Sequence, residues 1–317
     1  FHAFLARAAE NEAVREQTTV TCSTCGAEVT FEPNVSGDLC PFCGSSVVVG
    51  GGSTRTIKPR SLLPFYVTRE QATTAFQGWL DGLWFAPGDL KRMARTDGRL
   101  AGVYVPYWTY DTNTTSFYRG ERGEDYWETE HYTAFENGKH VSKTRQVRKT
   151  RWYPASGTVW NRFNDVLVLA SRSLPPKYIE RLEPWDLQHL APYADEYLSG
   201  FRTETYQVGL EQGFEIAKDE MDGHIRSSIC RDIGGDHQQI HSVRTRYDNI
   251  TFKHILLPVW INAYRYRERV CRFLVNARTG EVQGERPWSA AKIVLTVLAS
   301  LAAAAALALA IAAATTR

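Results

Sequence analysis

The sequence predicts an α+β protein in three parts: a small module built on four cysteines, a strand-rich α+β domain, and a C-terminal apolar helix. Three observations carry that reading. Two Cys-x2-Cys pairs stand close together near the start. The long middle is rich in Val, Tyr, Trp and Thr, with only two stretches of helical period. Near the end, 22 residues run without a charge, a proline or a glycine. The expected boundaries are 1–20 for an N-terminal segment, 21–49 for the cysteine ribbon and 50–60 for a flexible linker. The α+β domain then covers 61–289, and the apolar helix 290–317.

The composition sets the outer limits. With 43% hydrophobic and 23% charged residues among 317, the chain can build a core, and wholesale disorder is excluded. A net charge of +2 gives no global bias toward nucleic acid. Six cysteines in this length exclude a disulfide-dense secreted scaffold.

In the ribbon, Cys22-x2-Cys25 and Cys40-x2-Cys43 are each followed by a glycine, Gly26 and Gly44. A tight turn lets two thiolates two residues apart face one ion, and the glycine lets the backbone fold beneath it. Two such knuckles make a four-sulfur tetrahedron, which selects zinc or iron. Zinc is the expected ion, as a single structural site, because a closed tetrahedron needs no redox partner; a rubredoxin-like iron stays open. Ala27–Phe31 alternates like a strand, 33–38 has turn chemistry, and Val47–Val49 supplies a second strand. The ribbon carries Glu28, Glu32 and Asp38, and no basic residue lies between Arg15 and Arg55. An acidic ribbon reads phosphate poorly. Cys230 and Cys271 are expected to be packing residues.

Gly50-Gly51-Gly52-Ser53-Thr54 reads as a tether from which the ribbon hangs. Within the domain, 69–85 and 206–233 have helical period. Asn137-Gly138 signals a hairpin turn between two alternating arms. Closing that turn sets Glu136 opposite Lys139, Tyr132 opposite Lys143, Glu130 opposite Arg145 and Trp127 opposite Arg148. The basic run 143–151 then faces acids and aromatics of its partner arm. Leu62-Leu63-Pro64, Tyr104-Val105-Pro106 and Leu256-Leu257-Pro258 repeat one pattern, and proline in strand-like sequence suggests an edge or a bulge. The search for chemistry finds no phosphate loop, zincin motif or nucleophile elbow. His237 and His241 are four apart in a strand or loop, a weak metal pair. No catalytic set emerges, and the chain is read as a non-enzyme.

At about 1.5 Å per residue, a helix over Ile293–Ala314 spans roughly 33 Å, enough for a bilayer core. Half of it is alanine, and nine Ile, Leu and Val residues contribute about −3 to −5 kcal/mol of insertion energy. Between Ala263 and Lys292 seven basic residues face three glutamates. The positive-inside rule then keeps the bulk of the chain in the cytoplasm, with the helix in the inner or plasma membrane.

The ribbon, Val103-Tyr104-Val105-Pro106-Tyr107-Trp108, Phe252–Trp260 and Phe273–Gly284 occur in this order before the apolar helix. Together they resemble bacterial membrane-anchored zinc-ribbon proteins of the transcription-factor-IIB type, often labelled after primosomal protein N′. The resemblance implies Cys22, Cys25, Cys40 and Cys43 as ligands and recruitment of protein partners to the membrane. Some relatives are linked to phage-shock protein A and SPFH proteins. Helicase activity does not carry over without a phosphate loop. The expected function is a tail-anchored, non-catalytic adaptor in membrane stress; the alternative is nucleic-acid binding through the ribbon or the basic arm.

Overall fold

The computed structural model describes residues 14–30, 37–48, 52–87, 100–136, 139–266, 269–285 and 288–315. Strand β1 (Val14–Thr21) leads into the ribbon strands β2 (Glu28–Thr30), β3 (Gly37–Leu39) and β4 (Ser46–Val48). Next come β5 (Gly52–Ile57), β6 (Ser61–Leu62) and helix α1 (Arg69–Asp81). Strands β7 (Ala101–Glu136) and β8 (Lys139–Leu169) form a long hairpin. A short turn of helix, α2 (Pro176–Ile179), precedes β9 (Ala191–Pro192) and β10 (Arg202–Glu204). Helix α3 (Leu210–Ile233), β11 (His237–Tyr266), β12 (Arg269–Asn276) and β13 (Val282–Gly284) follow, then helix α4 (Ala290–Thr315).

The hairpin has the register the alternation implied. Glu136 pairs with Lys139, Tyr132 with Lys143, Glu130 with Arg145 and Trp127 with Arg148. The turn residues 137–138 lie outside the described residues. Strand β11 runs along β7 as far as His237 opposite Gly123. Beyond that point, among the described residues, 124–136 and 139–151 pair only with each other, a two-stranded arm about 40 Å long at about 3.3 Å per residue.

Helix α3 covers one face of the β8–β7–β11 sheet. Its apolar side chains recur at three and four residues, through Leu210, Phe214, Ala217, Met221, Ile225, Ile229 and Ile233, all buried. Trp108 Nε1 donates to Val208 O at 2.8 Å, and Tyr110 Oη donates to Leu210 O at 2.7 Å, so two strand aromatics fasten the start of α3. Gly213 permits this approach, because a Cβ there would run into the Tyr110 hydroxyl. Helix α1 begins in a capping box, with Gln71 N donating to Thr68 Oγ1 and Thr68 N donating to Gln71 Oε1. It buries Ala72, Phe76 and Leu80, and Phe76 stacks on Phe273 of β12. The helix stops at Gly82, short of the expected Phe85.

The linker reading needs correction. Residues 52–57 are strand β5, paired with β1 from Val14 opposite Ile57 to Thr19 opposite Gly52. Strand β2 pairs in turn with β10, and β10 with β7, so the ribbon is built into the main sheet. The glycines hid a Thr-rich strand that finds its partner in the segment expected to be a mere N-terminal extension. Val20, Val29 and Phe42 share one apolar cluster with Val103, Val105 and Leu257.

The proline motifs also read differently. Pro106 and Pro258 sit inside β7 and β11, two long central strands. Pro106 O accepts from Ala170 N, so its ring nitrogen faces the same side, where the neighbour of β7 changes from β10 to β8. Pro258 O accepts from Ala277 N, at the step from β6 to β12 along β11. Each missing N–H thus falls at a gap in the ladder. Leu62, Tyr104 and Leu256 meet in one cluster on one face, and Leu63, Val105 and Leu257 in another on the opposite face.

Candidate metal centre

The two knuckles fold identically. Cys22 N donates to Ala27 O at 2.9 Å and Gly26 N to Cys22 O at 2.8 Å; Cys40 N donates to Ser45 O and Gly44 N to Cys40 O, both at 2.8 Å. Gly26 and Gly44 have φ of 73° and 72°, the left-handed region that a side chain resists. Cys22 Sγ lies 3.6 Å from Cys43 Sγ, and Cys25 Sγ lies 3.7 Å from Cys40 Sγ. All four sulfurs fall within 4.8 Å of one another. An ion with bonds of about 2.3 Å to four thiolates sets its sulfurs about 3.8 Å apart, so the set is dimensioned for one tetrahedral ion. Among the described residues no other His, Cys, Asp or Glu group gathers this closely.

The surroundings are apolar. Cys22, Cys40 and Cys43 are buried, Cys25 is half-buried, and Phe42 between the knuckle sulfurs is fully enclosed. Burial pushes the Cys25 thiol up to about 11 and raises Cys40 as well. At Cys22 burial is the largest single influence and raises the thiol, but the N–H groups of Cys25 and Thr24 together with the thiols of Cys43 and Cys25 outweigh it and bring the value down to about 7. A divalent ion takes such ligands as thiolates, so its binding would release the protons they carry.

Residues far away in sequence fasten the ribbon. Arg202 donates to Leu39 O at 2.9 Å and pairs with the Asp38 carboxylate, and Gln207 Nε2 donates to Gly26 O at 3.0 Å. Sequence reasoning missed both, because nothing local marks a residue more than 160 positions away as a clasp.

The other singled-out residues separate from this centre. Cys230 is half-buried in α3 and Cys271 is buried in β12. His237 Nε2 lies 3.1 Å from Asp125, and His241 Nε2 lies 3.4 Å from Glu121, so each histidine meets a carboxylate of β7 rather than the other. Within the arm, Lys149 pairs with Glu128 at 2.8 Å and Glu130 at 3.2 Å, Arg145 with Glu130 at 3.0 Å, and Arg148 with Asp125 at 3.2 Å. Two buried titratable groups were not anticipated. Glu204 accepts from Ser171 Oγ at 2.8 Å, and burial raises its carboxyl to about 8. His254 holds Ile57 O at 2.8 Å through Nδ1, and burial lowers its ring to about 4.

Helix α4 leaves the body through a polar and aromatic collar. Lys292 Nζ donates to Trp84 O at 3.1 Å and Ala86 O at 2.8 Å, Ser289 N donates to Phe85 O, and the Phe85 and Trp288 rings are 6.2 Å apart. Trp84 and Trp288 are exposed. From 293 to 306 every described side chain of α4 is exposed, Leu295 at 71% and Leu298 at 58% among them. No helix is long and apolar enough to cross a membrane among the described residues. The expected span 293–314 runs past them, since the side chains of 307 and 309–317 lie outside the description.

Fold and site define a strand-rich α+β protein whose sheet incorporates a four-cysteine, metal-binding-capable knuckle pair. No family model matches the chain, and no solved structure matches it. It is similar to the uncharacterized protein YdjG of Bacillus subtilis (strain 168), at 26% identity over 248 residues. That alignment covers 75% of this chain and 66% of the relative.

Proposed function

We propose that this chain is a membrane-anchored zinc-ribbon adaptor that presents a folded, non-catalytic surface to protein partners at the bilayer. The observation that carries the membrane half is α4. Ile293, Val294, Leu295, Val297, Leu298 and Leu301 all stand in solvent, and no part of the described body covers them. At about −0.3 to −0.6 kcal/mol for each on insertion, these six side chains favour a lipid environment by roughly 2–4 kcal/mol. The collar of Trp84, Trp288 and Lys292 at its start has the composition of a membrane interface. With the basic flank on the same side, the reading places the ribbon and sheet in the cytoplasm, where thiolates stay reduced. The closed four-sulfur set suits a structural zinc ion, which leaves no coordination position for water or substrate. Partners of the phage-shock protein A or SPFH type follow from the resemblance of the sequence. The test is crosslinked capture from membranes with intact protein and Cys22→Ser. Enrichment of such partners by the intact protein alone supports the adaptor; equal capture by a metal-free variant removes the ribbon from it.

One observation favours nucleic acid as a second reading, at a site other than the ribbon or the basic arm. On the sheet face opposite α3, Arg119, Arg162 and Arg244 are exposed without a carboxylate partner among the described residues. They surround Phe117 and Trp160, 51% and 73% exposed, beside a shallow groove of about 630 Å³. Rings on a flat sheet flanked by arginines suit stacking of single-stranded bases. Anisotropy with a single-stranded oligonucleotide tests this. Binding lost in Trp160→Ala, with log affinity falling about 0.7 per log salt for each phosphate met, supports it; no binding at low salt rejects it.

A further inference from the structure

Along β7 the side chains alternate without interruption from Asn113 to Phe135, because the pairing with β8 keeps one register from Thr112 opposite Phe163 to Glu136 opposite Lys139. Thr114, Ser116 and Tyr118 are buried, Tyr118 in the cluster that α3 completes, so Phe117, Arg119, Asp125 and Trp127 share the opposite face. The face that carries Phe117 and Trp160 on the sheet body is therefore continuous with one face of the arm. The arm's ion pairs, Lys149 with Glu128 and Arg145 with Glu130, lie on its other face.

The shared face carries rings at intervals. Trp160 stands opposite Thr115, Trp152 opposite Gly123 and Trp127 opposite Arg148. Trp160 and Trp127 are 73% and 67% exposed. Trp152 crosses β7 at Gly123, its Cζ3 within 3.0 Å of where a Cβ on the glycine would stand, so the missing side chain lets the indole lie low over the sheet. From the level of Thr115 to that of Trp127 is about 40 Å at about 3.3 Å per residue. Cations accompany the rings. Arg119, Arg162 and Arg244 have no carboxylate partner among the described residues, and Arg148 stands level with Trp127. The acids of this face are met on it: Asp248 by Arg246 at 2.8 Å, Asp125 by Arg148 at 3.2 Å and Glu121 by His241 at 3.4 Å. From Gln146 to His140 the same face offers no lysine or arginine.

A row of exposed rings with unpaired guanidiniums beside it fits a flexible polyanion whose units have flat faces. An apolar protein surface laid there would bury the arginines without counterions. Resting on the single-strand reading of the sheet face given above, we propose that the track continues onto the arm: one strand of DNA or RNA lies along β7 with bases on Trp160, Phe117, Trp152 and Trp127. Arg119, Arg162 and Arg244 take its phosphates on the body, and Arg148, already paired with Asp125, meets the phosphate next to Trp127. At about 3.4 Å per stacked nucleotide the track holds at most about 12, inside the range of about 4–16 known for single-strand sites. The rest of the basic run takes no part, because Lys143, Arg145, Lys149 and Arg151 face the other way.

The experiment is fluorescence anisotropy of the full chain in neutral detergent micelles with oligothymidine and oligouridine of about 4 to 16 nucleotides, at low salt. A tetramer covers Trp160 and Phe117 but is too short to reach Trp127. Expected is an affinity that rises from the tetramer to the dodecamer and then levels off, and the sugar series that binds names the strand as DNA or RNA. Trp127→Ala should weaken the dodecamer about tenfold and leave the tetramer unchanged, while Trp160→Ala weakens both. Tyr132→Ala, on the arm's other face, should weaken neither, and all three variants should keep the parent's melting temperature. A dodecamer bound no more tightly than the tetramer, or one indifferent to Trp127→Ala while Trp160→Ala weakens it, confines the site to the sheet body; the extension then fails and the single-strand reading stands. Equal losses from Trp127→Ala and Tyr132→Ala overturn the extension as well. Binding of no oligomer in either series overturns both.

Discussion

Replacing Cys40 by serine takes one thiolate from a centre whose knuckles are pinned to the main sheet, and the consequence should reach well beyond the ribbon. Val20, Val29, Phe42 and Val47 of the ribbon are buried in the same cluster as Val103, Val105 and Leu257. Four such side chains contribute about 6–12 kcal/mol of burial, and they hold their places only while the knuckles are closed. A whole domain is stable by about 5–15 kcal/mol, so opening the knuckles removes a large share of the total. At about 2–4 °C per kcal/mol, loss of even 5 kcal/mol lowers the melting temperature by about 10 °C or more. The assay is thermal unfolding followed by near-ultraviolet circular dichroism, which reports on Trp108 and Trp260 in the sheet body. Cys40→Ser and chelator-treated protein should both melt in one transition, shifted down together. If a metal dye shows the ion gone while the tryptophan signal melts where it did before, the ribbon is an autonomous appendage and the reasoning from the shared sheet is wrong.

Three further outcomes follow from the packing. Gly213→Ala, which in an open helix would stabilise by about 1 kcal/mol, should instead destabilise by about 1–3 kcal/mol, because its Cβ meets the Tyr110 hydroxyl; urea unfolding reads the sign. Glu204 has a folded pKa of about 8, above its unfolded value, so its contribution is fullest below about pH 4 and is lost as pH rises toward 8. Glu204→Gln should therefore stabilise the protein by up to about 3 kcal/mol at pH 7 and leave it nearly unchanged at pH 4, measured by denaturant melts across that range. His254 has the opposite sign: its folded pKa of about 4 lies below the unfolded value, so its contribution grows between pH 4 and about 6.5. His254→Gln should flatten that acid limb in the same melts.

The parts of the fold legible in the sequence are those written locally. The paired knuckles need only two residues and a glycine each, and the hairpin register follows from one turn dipeptide and period-two alternation. The stripe of α3 recurs within a single helix. What stayed hidden depends on partners far apart. Strand β5 looks like a glycine tether until β1 is placed beside it, and the join of β2 to β10 links Val29 with Glu204. The prolines were legible as unable to donate, but the gaps that accommodate them exist only once β6, β8, β10 and β12 are ranged along the central strands. At the site, the clustering of the four cysteines was readable, while the clasps Arg202 and Gln207 and the buried Glu204 were not, since a single polar residue has no periodic signature. The basic run 143–151 drew attention as sequence; its charges are answered across the hairpin, whereas Arg119, Arg162 and Arg244, which have no acid partner among the described residues, are spread over three strands.

The most direct measurement is alkaline carbonate extraction of membranes from cells expressing the chain, beside a variant with Leu295, Leu298 and Leu301 changed to lysine. The anchor account predicts that the unaltered chain stays in the membrane pellet and the lysine variant moves to the supernatant, with its ribbon metal retained. An unaltered chain that is stripped into the supernatant, or a lysine variant that remains in the pellet as firmly as its parent, would contradict the account.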